Sequence, residues 1–99
     1  MIVVGGTFRV PPENLAALKP HAETVVAASR AEAGCIVYSF AEDLVEPGLI
    51  RVFEIWASRE QLDAHISQPH MKPWRAALAT LGGSGRDLKV YNADDGVPV

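Results

Sequence analysis

The stretch from Cys35 to Ala57 leaves this chain little choice of fold. It holds two runs rich in β-branched and aromatic residues, CIVYSFAEDL and LIRVFEIWA. Runs of that composition read as strands. The turn between them, EDLVEPG, is too short for the crossover helix that a parallel pair requires, so the two strands must form an antiparallel hairpin. In the first strand Ile36, Tyr38 and Phe40 share one face, with Cys35, Val37 and Ser39 on the other. In the second, Leu49, Arg51, Phe53 and Ile55 alternate against Ile50, Val52, Glu54 and Trp56.

Helical patterns flank this hairpin. An earlier strand, IVVGGTFRV (Ile2 to Val10), stops at Pro11-Pro12. From Pro12 to Ala33 the residues Leu15, Leu18, Ala22, Val25, Val26 and Ser29 recur at helical spacing. Pro20 removes a backbone donor there, which predicts a kink or a second helix start. Gly34 is the expected C-terminal cap. After the hairpin, Ser58 and Gln61 form an S-x-x-Q capping box. Leu62, His65 and Ile66 then lie at i, i+3 and i+4, which turns His65 inward. Pro69 ends that helix, and HMKPWRAALATL starts another. GGSG at 82–85 reads as a loop, RDLKVYN as a fourth strand, and residues 91–99 as a polar tail. The order β-α-β-β-α-β predicts an α+β, ferredoxin-like fold with an antiparallel sheet, as one domain over residues 1–99.

Helices in that topology cover one face of the sheet, yet the hairpin is apolar on both. Each large side chain left uncovered forgoes ~1.5–3 kcal/mol of burial. Soluble monomers rarely carry such a patch. With 48% apolar residues in only 99, the expectation is a homodimer packed through its sheet faces. The formal net charge is −3 and no Lys/Arg cluster is present, so neither nucleic acid nor a membrane is an expected partner. Cys35 is the single cysteine and has no internal disulfide partner. That fits a reducing, cytoplasmic compartment, as does an N-terminus, MIVVGG, with no basic segment.

Chemistry concentrates between Glu54 and Trp74. His65 is either a packed core imidazole or a general base, since histidine titrates near neutrality. Glu54, on the strand face of Val52 and Trp56, needs a donor or a proton; His65, Arg51 and Arg75 are the candidates. Trp56 and Trp74 either fill the core or form flat walls for an aromatic ligand. Tyr38 either fills the core or donates its hydroxyl to a substrate oxygen. His70 lies five residues from His65, beyond Pro69, so no H-x-x-x-H metal motif exists; a capping role or a place at a substrate rim suits it better. Cys35 reads as an inert buried thiol. No G-x-G-x-x-G, Walker or C-x-x-C motif occurs, and no metal or cofactor is expected.

Three stretches together, VPPENLAALKP, SRAEAGCIVYSF and FEIWASREQLDAHISQPHMKPW, resemble the antibiotic biosynthesis monooxygenase family, which includes quinol monooxygenases. The patterns are Glu32-Ala-Gly34-Cys35-Ile-Val-Tyr38 and Glu54-Ile-Trp56-Ala-Ser58 followed by His65 and His70. The resemblance implies a dimeric α+β barrel and, in some members, oxygenation of a quinol or anthrone by O₂ without metal or flavin. It implies His65 as the base or its relay, Glu54 orienting it and Tyr38 binding a substrate oxygen. Trp56, Trp74, His70 and Phe53 are the expected substrate contacts, with Arg51 or Arg75 supplying positive charge. Haem-degrading relatives differ in two regions, which here read Trp74-Arg75 and Gly5-Gly6. Isomerases of the same fold, and members acting only as dimeric binding proteins, share the motif.

Overall fold

The β-branched start of the chain forms β1 (Ile2–Arg9), one of the two inner strands of the computed structural model, which describes all 99 residues. A 3₁₀ turn at Pro12–Asn14 leads into α1 (Leu15–Arg30). The hairpin follows as β2 (Cys35–Glu42) and β3 (Leu49–Trp56), then α2 (Arg59–Ile66), α3 (Met71–Thr80) and β4 (Ser84–Asn92). The sheet order is β2-β3-β1-β4, with every neighbouring pair antiparallel. This is the predicted ferredoxin-like α+β fold.

The alternation along β3 works as its sequence implied. Ile50, Val52, Glu54 and Trp56 are buried, while Arg51 and Phe53 are exposed. The buried face carries two apolar clusters. In one, Phe8, Val52 and Ile50 meet Leu18 and Val25 of α1 and Met71, Trp74 and Ala77 of α3. In the other, Ile2, Val4, Tyr38 and Trp56 meet Leu62 of α2. At ~1.5–3 kcal/mol per large side chain, these contacts dock the three helices. On the opposite face the register aligns Val3 with Ile55 and Tyr91, and Phe53 with Gly5. Phe53 and Tyr91 are about half exposed there.

Several local expectations are corrected. Helix α1 runs through Pro20, so no second helix starts there. The proline lies in an exposed turn of the helix, opposite the buried stripe of Leu18, Val25 and Ser29. The carbonyl it deprives of a donor therefore faces water, and docking of the stripe holds the helix together. Helix α1 ends at Arg30 with Ala31 as its cap, so Gly34 is not a helix cap. It sits later, at φ +81°, where the chain enters β2. The register of β2 against β3 shifts between Cys35 and Val37. Ile36 is the extra residue of this bulge. It is 55% exposed, and Cys35 takes the covered face beside Tyr38. Ile66 is half exposed rather than inward. Strand β4 ends at Asn92 as RDLKVYN implied, and it takes in Ser84 and Gly85 from the expected loop.

Candidate active site

The capping box places the first functional side chain. Ser58 caps α2, its Oγ accepting from the Gln61 backbone N–H at 3.3 Å. The helix then presents Leu62 and His65 inward, with His65 only 3% exposed. His65 borders a cavity of about 690 Å³ between the covered sheet face, α2, α3 and β4. Tyr38, Glu54, Phe40 and Trp74 share that wall. Phe40 and Trp74 stack with ring centres 5.2 Å apart and planes 14° apart, which gives that wall an aromatic surface.

The expected His65–Glu54 pair does not form. His65 Nδ1 lies 2.6 Å from Glu32 Oε2, in the turn between α1 and β2. The same oxygen lies 3.1 Å from His70 Nε2, and Ser29 Oγ lies 3.4 Å from that nitrogen. A carboxylate can only accept, so the imidazole nitrogens facing it carry the protons. His65 Nδ1–H therefore donates to Glu32, and its Nε2, which has no protein partner, is the basic nitrogen of the ring. The ring meets Tyr38 edge-on at 5.1 Å and lies over Trp56 at 4.7 Å, which limits its rotation.

His65 and His70 come together on Glu32 because α2 ends at Ile66 and α3 begins at Met71, so the two imidazoles do not sit on one continuous helix. Glu32 is the member of this cluster that sequence reasoning passed over. Its signal was present in the Glu32-x-Gly34-Cys35 pattern, but nothing local joins it to a helix 33 residues away.

Glu54 has a different partner. Two residues apart on one strand face, Glu54 and Trp56 stand side by side, and Trp56 Nε1–H donates to Glu54 Oε1 at 2.9 Å. Burial pushes the Glu54 carboxyl above the usual carboxylate range. The Trp56 hydrogen bond, His65 and Arg86 oppose that rise without cancelling it. Neither arginine nominated for Glu54 reaches it. Arg51 donates to Asp43 at 2.9 Å, and Arg75 donates to the Ile66 carbonyl at 2.7 Å. Tyr38 pairs across the hairpin with Glu54. Burial, then the Glu54 charge, pushes its phenol far up, against a hydrogen bond with Ser29. The phenol is therefore protonated and able to donate.

Of the expected substrate contacts, Trp74 lies on the cavity wall. Trp56 does not. It is 0% exposed, and its role is to fill the core and hold Glu54. Phe53 points from the opposite sheet face, because it alternates out of phase with Glu54. His70 sits behind Glu32, outside the cavity wall. The Cys35 thiol is pushed up by burial, and next by Glu32 and Glu54, which keeps it protonated and poorly nucleophilic.

Glu32, His65 and His70 are also the residues able to hold a metal, their donor atoms all lying within 4.8 Å of one another. Two ligands of one tetrahedral ion with bonds of ~2.0–2.1 Å stand roughly 3.3 Å apart. The 2.6 Å separation of Glu32 and His65 is instead that of a strong charge-assisted hydrogen bond.

The profile of the antibiotic biosynthesis monooxygenase family matches residues 1–77. The chain belongs to this family. The matched span carries Tyr38, Glu54, His65 and Trp74, and stops before β4. Among proteins similar in sequence is the uncharacterized sll1783 of Synechocystis, 33% identical over 90 residues. The match covers 91% of this chain but only 61% of sll1783, so the chain spans about three-fifths of that relative. Rv0793 of Mycobacterium tuberculosis, a monooxygenase by name, is 31% identical over 80 residues, covering 81% of this chain and 78% of Rv0793. The solved structure of Rv0793 superposes with a TM-score of 0.81 at 28% identity, covering 98% of both chains. A Deinococcus radiodurans protein named for the same family gives a TM-score of 0.91 at 26% identity, covering 100% of this chain and 98% of its own. No helix of this family member is long and apolar enough to cross a membrane.

Proposed function

We propose that this antibiotic biosynthesis monooxygenase family member is a cofactor-independent monooxygenase that oxidises a quinol or related aromatic with O₂. One observation carries the reading. An imidazole with its Nδ1 held by a carboxylate stands on the wall of an apolar, aromatic-sided cavity, beside a protonated phenol. The substrate ring lies against Trp74 and Phe40. His65 Nε2 takes the proton of a ring hydroxyl, a role in which a well-matched base contributes about 10²–10⁴-fold. Glu32 is a positioning residue that holds the tautomer and steadies the imidazolium. Tyr38 donates toward the oxygen where charge develops, and the low polarity of the cavity strengthens that contact. The aromatic anion supplies the electrons to O₂. One oxygen atom enters the ring and the other leaves as water, so quinol plus O₂ gives a hydroxyquinone plus water.

The working unit in this proposal is a homodimer closed over the open sheet face, where Phe53, Tyr91, Val3 and Ile55 lie. We place it in the cytoplasm, where a lone cysteine stays reduced. The test is O₂ uptake by purified protein against a panel of quinols and anthrones, with His65→Ala beside the wild type. Uptake that needs the protein and falls at least about a hundredfold in the variant supports the reading. Uptake absent from every assay, or unchanged in the variant, overturns it. Product formed equally well without O₂ assigns the same residues to an isomerase.

A further inference from the structure

The cavity has a charge that the chain as a whole does not. Aspartate and glutamate outnumber lysine and arginine by 12 to 9. Yet the charged residues bordering the cavity are Arg59, Arg75, Arg86 and Lys89 against the single acid Glu54. Lys89 pairs with Gly5 and so alternates toward the other sheet face. Three guanidinium groups remain, brought to one mouth from α2, α3 and β4. They are exposed, whereas Glu54 is buried. Two of the three already have partners. Arg59 pairs with Asp63 at 3.1 Å, and Arg75 donates to the Ile66 carbonyl. Arg86 has neither a hydrogen bond nor an ion pair within the chain, although its charge is felt at Glu54.

The backbone aims Arg86. Along β1 and β4, Thr7 opposes Asp87 but Arg9 opposes Ser84, so Gly85 and Arg86 together face Phe8. Gly85 has φ +61°. A glycine in the left-handed region at the first position of a two-against-one mismatch is a β-bulge, a device that redirects the next side chain. Nothing crowds a Cβ at Gly85 except the Arg9 side chain at 3.8 Å, so backbone conformation, not space, calls for glycine there.

We infer that the ligand of this cavity is an aromatic acid, with its ring on the Trp74–Phe40 surface and its carboxylate at the mouth on Arg86. The inference rests on reading this cavity as the substrate site. A planar guanidinium meets a carboxylate through two parallel hydrogen bonds, which gives orientation as well as affinity. A neutral aromatic of the same size would cover the mouth and leave Arg86 without a counter-charge. The anionic group also fixes which ring edge enters first, and so which hydroxyl reaches His65.

The test compares 2-naphthoate with 2-naphthol, equal in ring size and different in charge at neutral pH. Binding is read under nitrogen by calorimetry, at low and high salt, for the wild type, Arg86→Gln and the distant surface variant Lys19→Gln. The expected result is naphthoate binding about tenfold tighter than naphthol at low salt, with a gap that narrows as salt rises. Arg86→Gln should abolish most of that gap without weakening naphthol, and Lys19→Gln should leave it intact. Equal affinity for the two probes overturns the inference. So does an Arg86→Gln variant that weakens both alike, or the absence of binding by either. Oxygen plays no part in this measurement. A naphthoate preference without any O₂ uptake removes the monooxygenase reading and leaves this one standing.

Discussion

Gly6→Ala tests whether β4 lies against β1 as closely as described. Gly6 has φ +148°, and a Cβ built there would stand 1.9 Å from the Asp87 carbonyl oxygen and 2.9 Å from Leu88 Cα. Both are backbone atoms, so no side-chain rotation relieves the overlap. Alanine at that φ costs about 1–3 kcal/mol. Restoring an ordinary contact also pushes β4 outward by more than an ångström, which spoils about two ladder hydrogen bonds at about 1 kcal/mol each. The sum is about 3–5 kcal/mol. At about 4–8 °C per kcal/mol for a domain of this size, Tm falls by at least about 12 °C. Gly5→Ala is the internal control. Its Cβ would meet only Tyr91 Cε2, at an ordinary 3.9 Å, and no positive φ is involved. Thermal and urea unfolding of both variants should place Gly5→Ala within about 0.5 kcal/mol of wild type. If the two variants melt together, the close β1–β4 approach, and with it the β4 wall of the cavity, is wrong.

Glu32→Gln should lower stability by about 1–3 kcal/mol, because the partly buried acceptor shared by two imidazoles loses its charge. It should also cut turnover at least about tenfold, through misplacement of His65; urea unfolding and the O₂ assay read the two effects. Glu54→Gln tests the buried carboxyl through pH. Burial raises the folded value, so the contribution of this group to stability is complete below the unfolded value near ~4.3 and fades as pH rises through the raised one. The amide keeps an acceptor for Trp56 without titrating. Glu54→Gln should therefore gain stability relative to wild type as pH climbs from 4 to 8, and a constant difference across that range would refute the assignment. Phe53→Asp, on the open sheet face, should convert a dimer to a monomer in light scattering while leaving secondary structure intact. A wild-type protein already monomeric at high concentration removes the dimer proposal. Trp74→Ala should cost about 3–5 kcal/mol in stability and weaken aromatic ligands in calorimetry.

Much of this molecule followed from short-range rules. The tight turn between two strand-forming runs required a hairpin, and the Ser58 cap with its helical spacing turned His65 inward. Alternation along β3 buried Glu54 and Trp56 on one face and sent Phe53 to the other. These are statements about neighbours within a few residues, where backbone period decides the outcome. Tertiary structure decided who meets whom. Glu32 reaches His65 across 33 residues and His70 across 38. That junction exists because the end of α2 and the start of α3 lie over the exit from α1. Arg86 comes to border the cavity through a bulge in an edge strand. Periodicity assigns each side chain to a face, but it carries no distances between faces. Those distances are set by how the layers pack, and hydrogen-bond partnership is decided within a few tenths of an ångström.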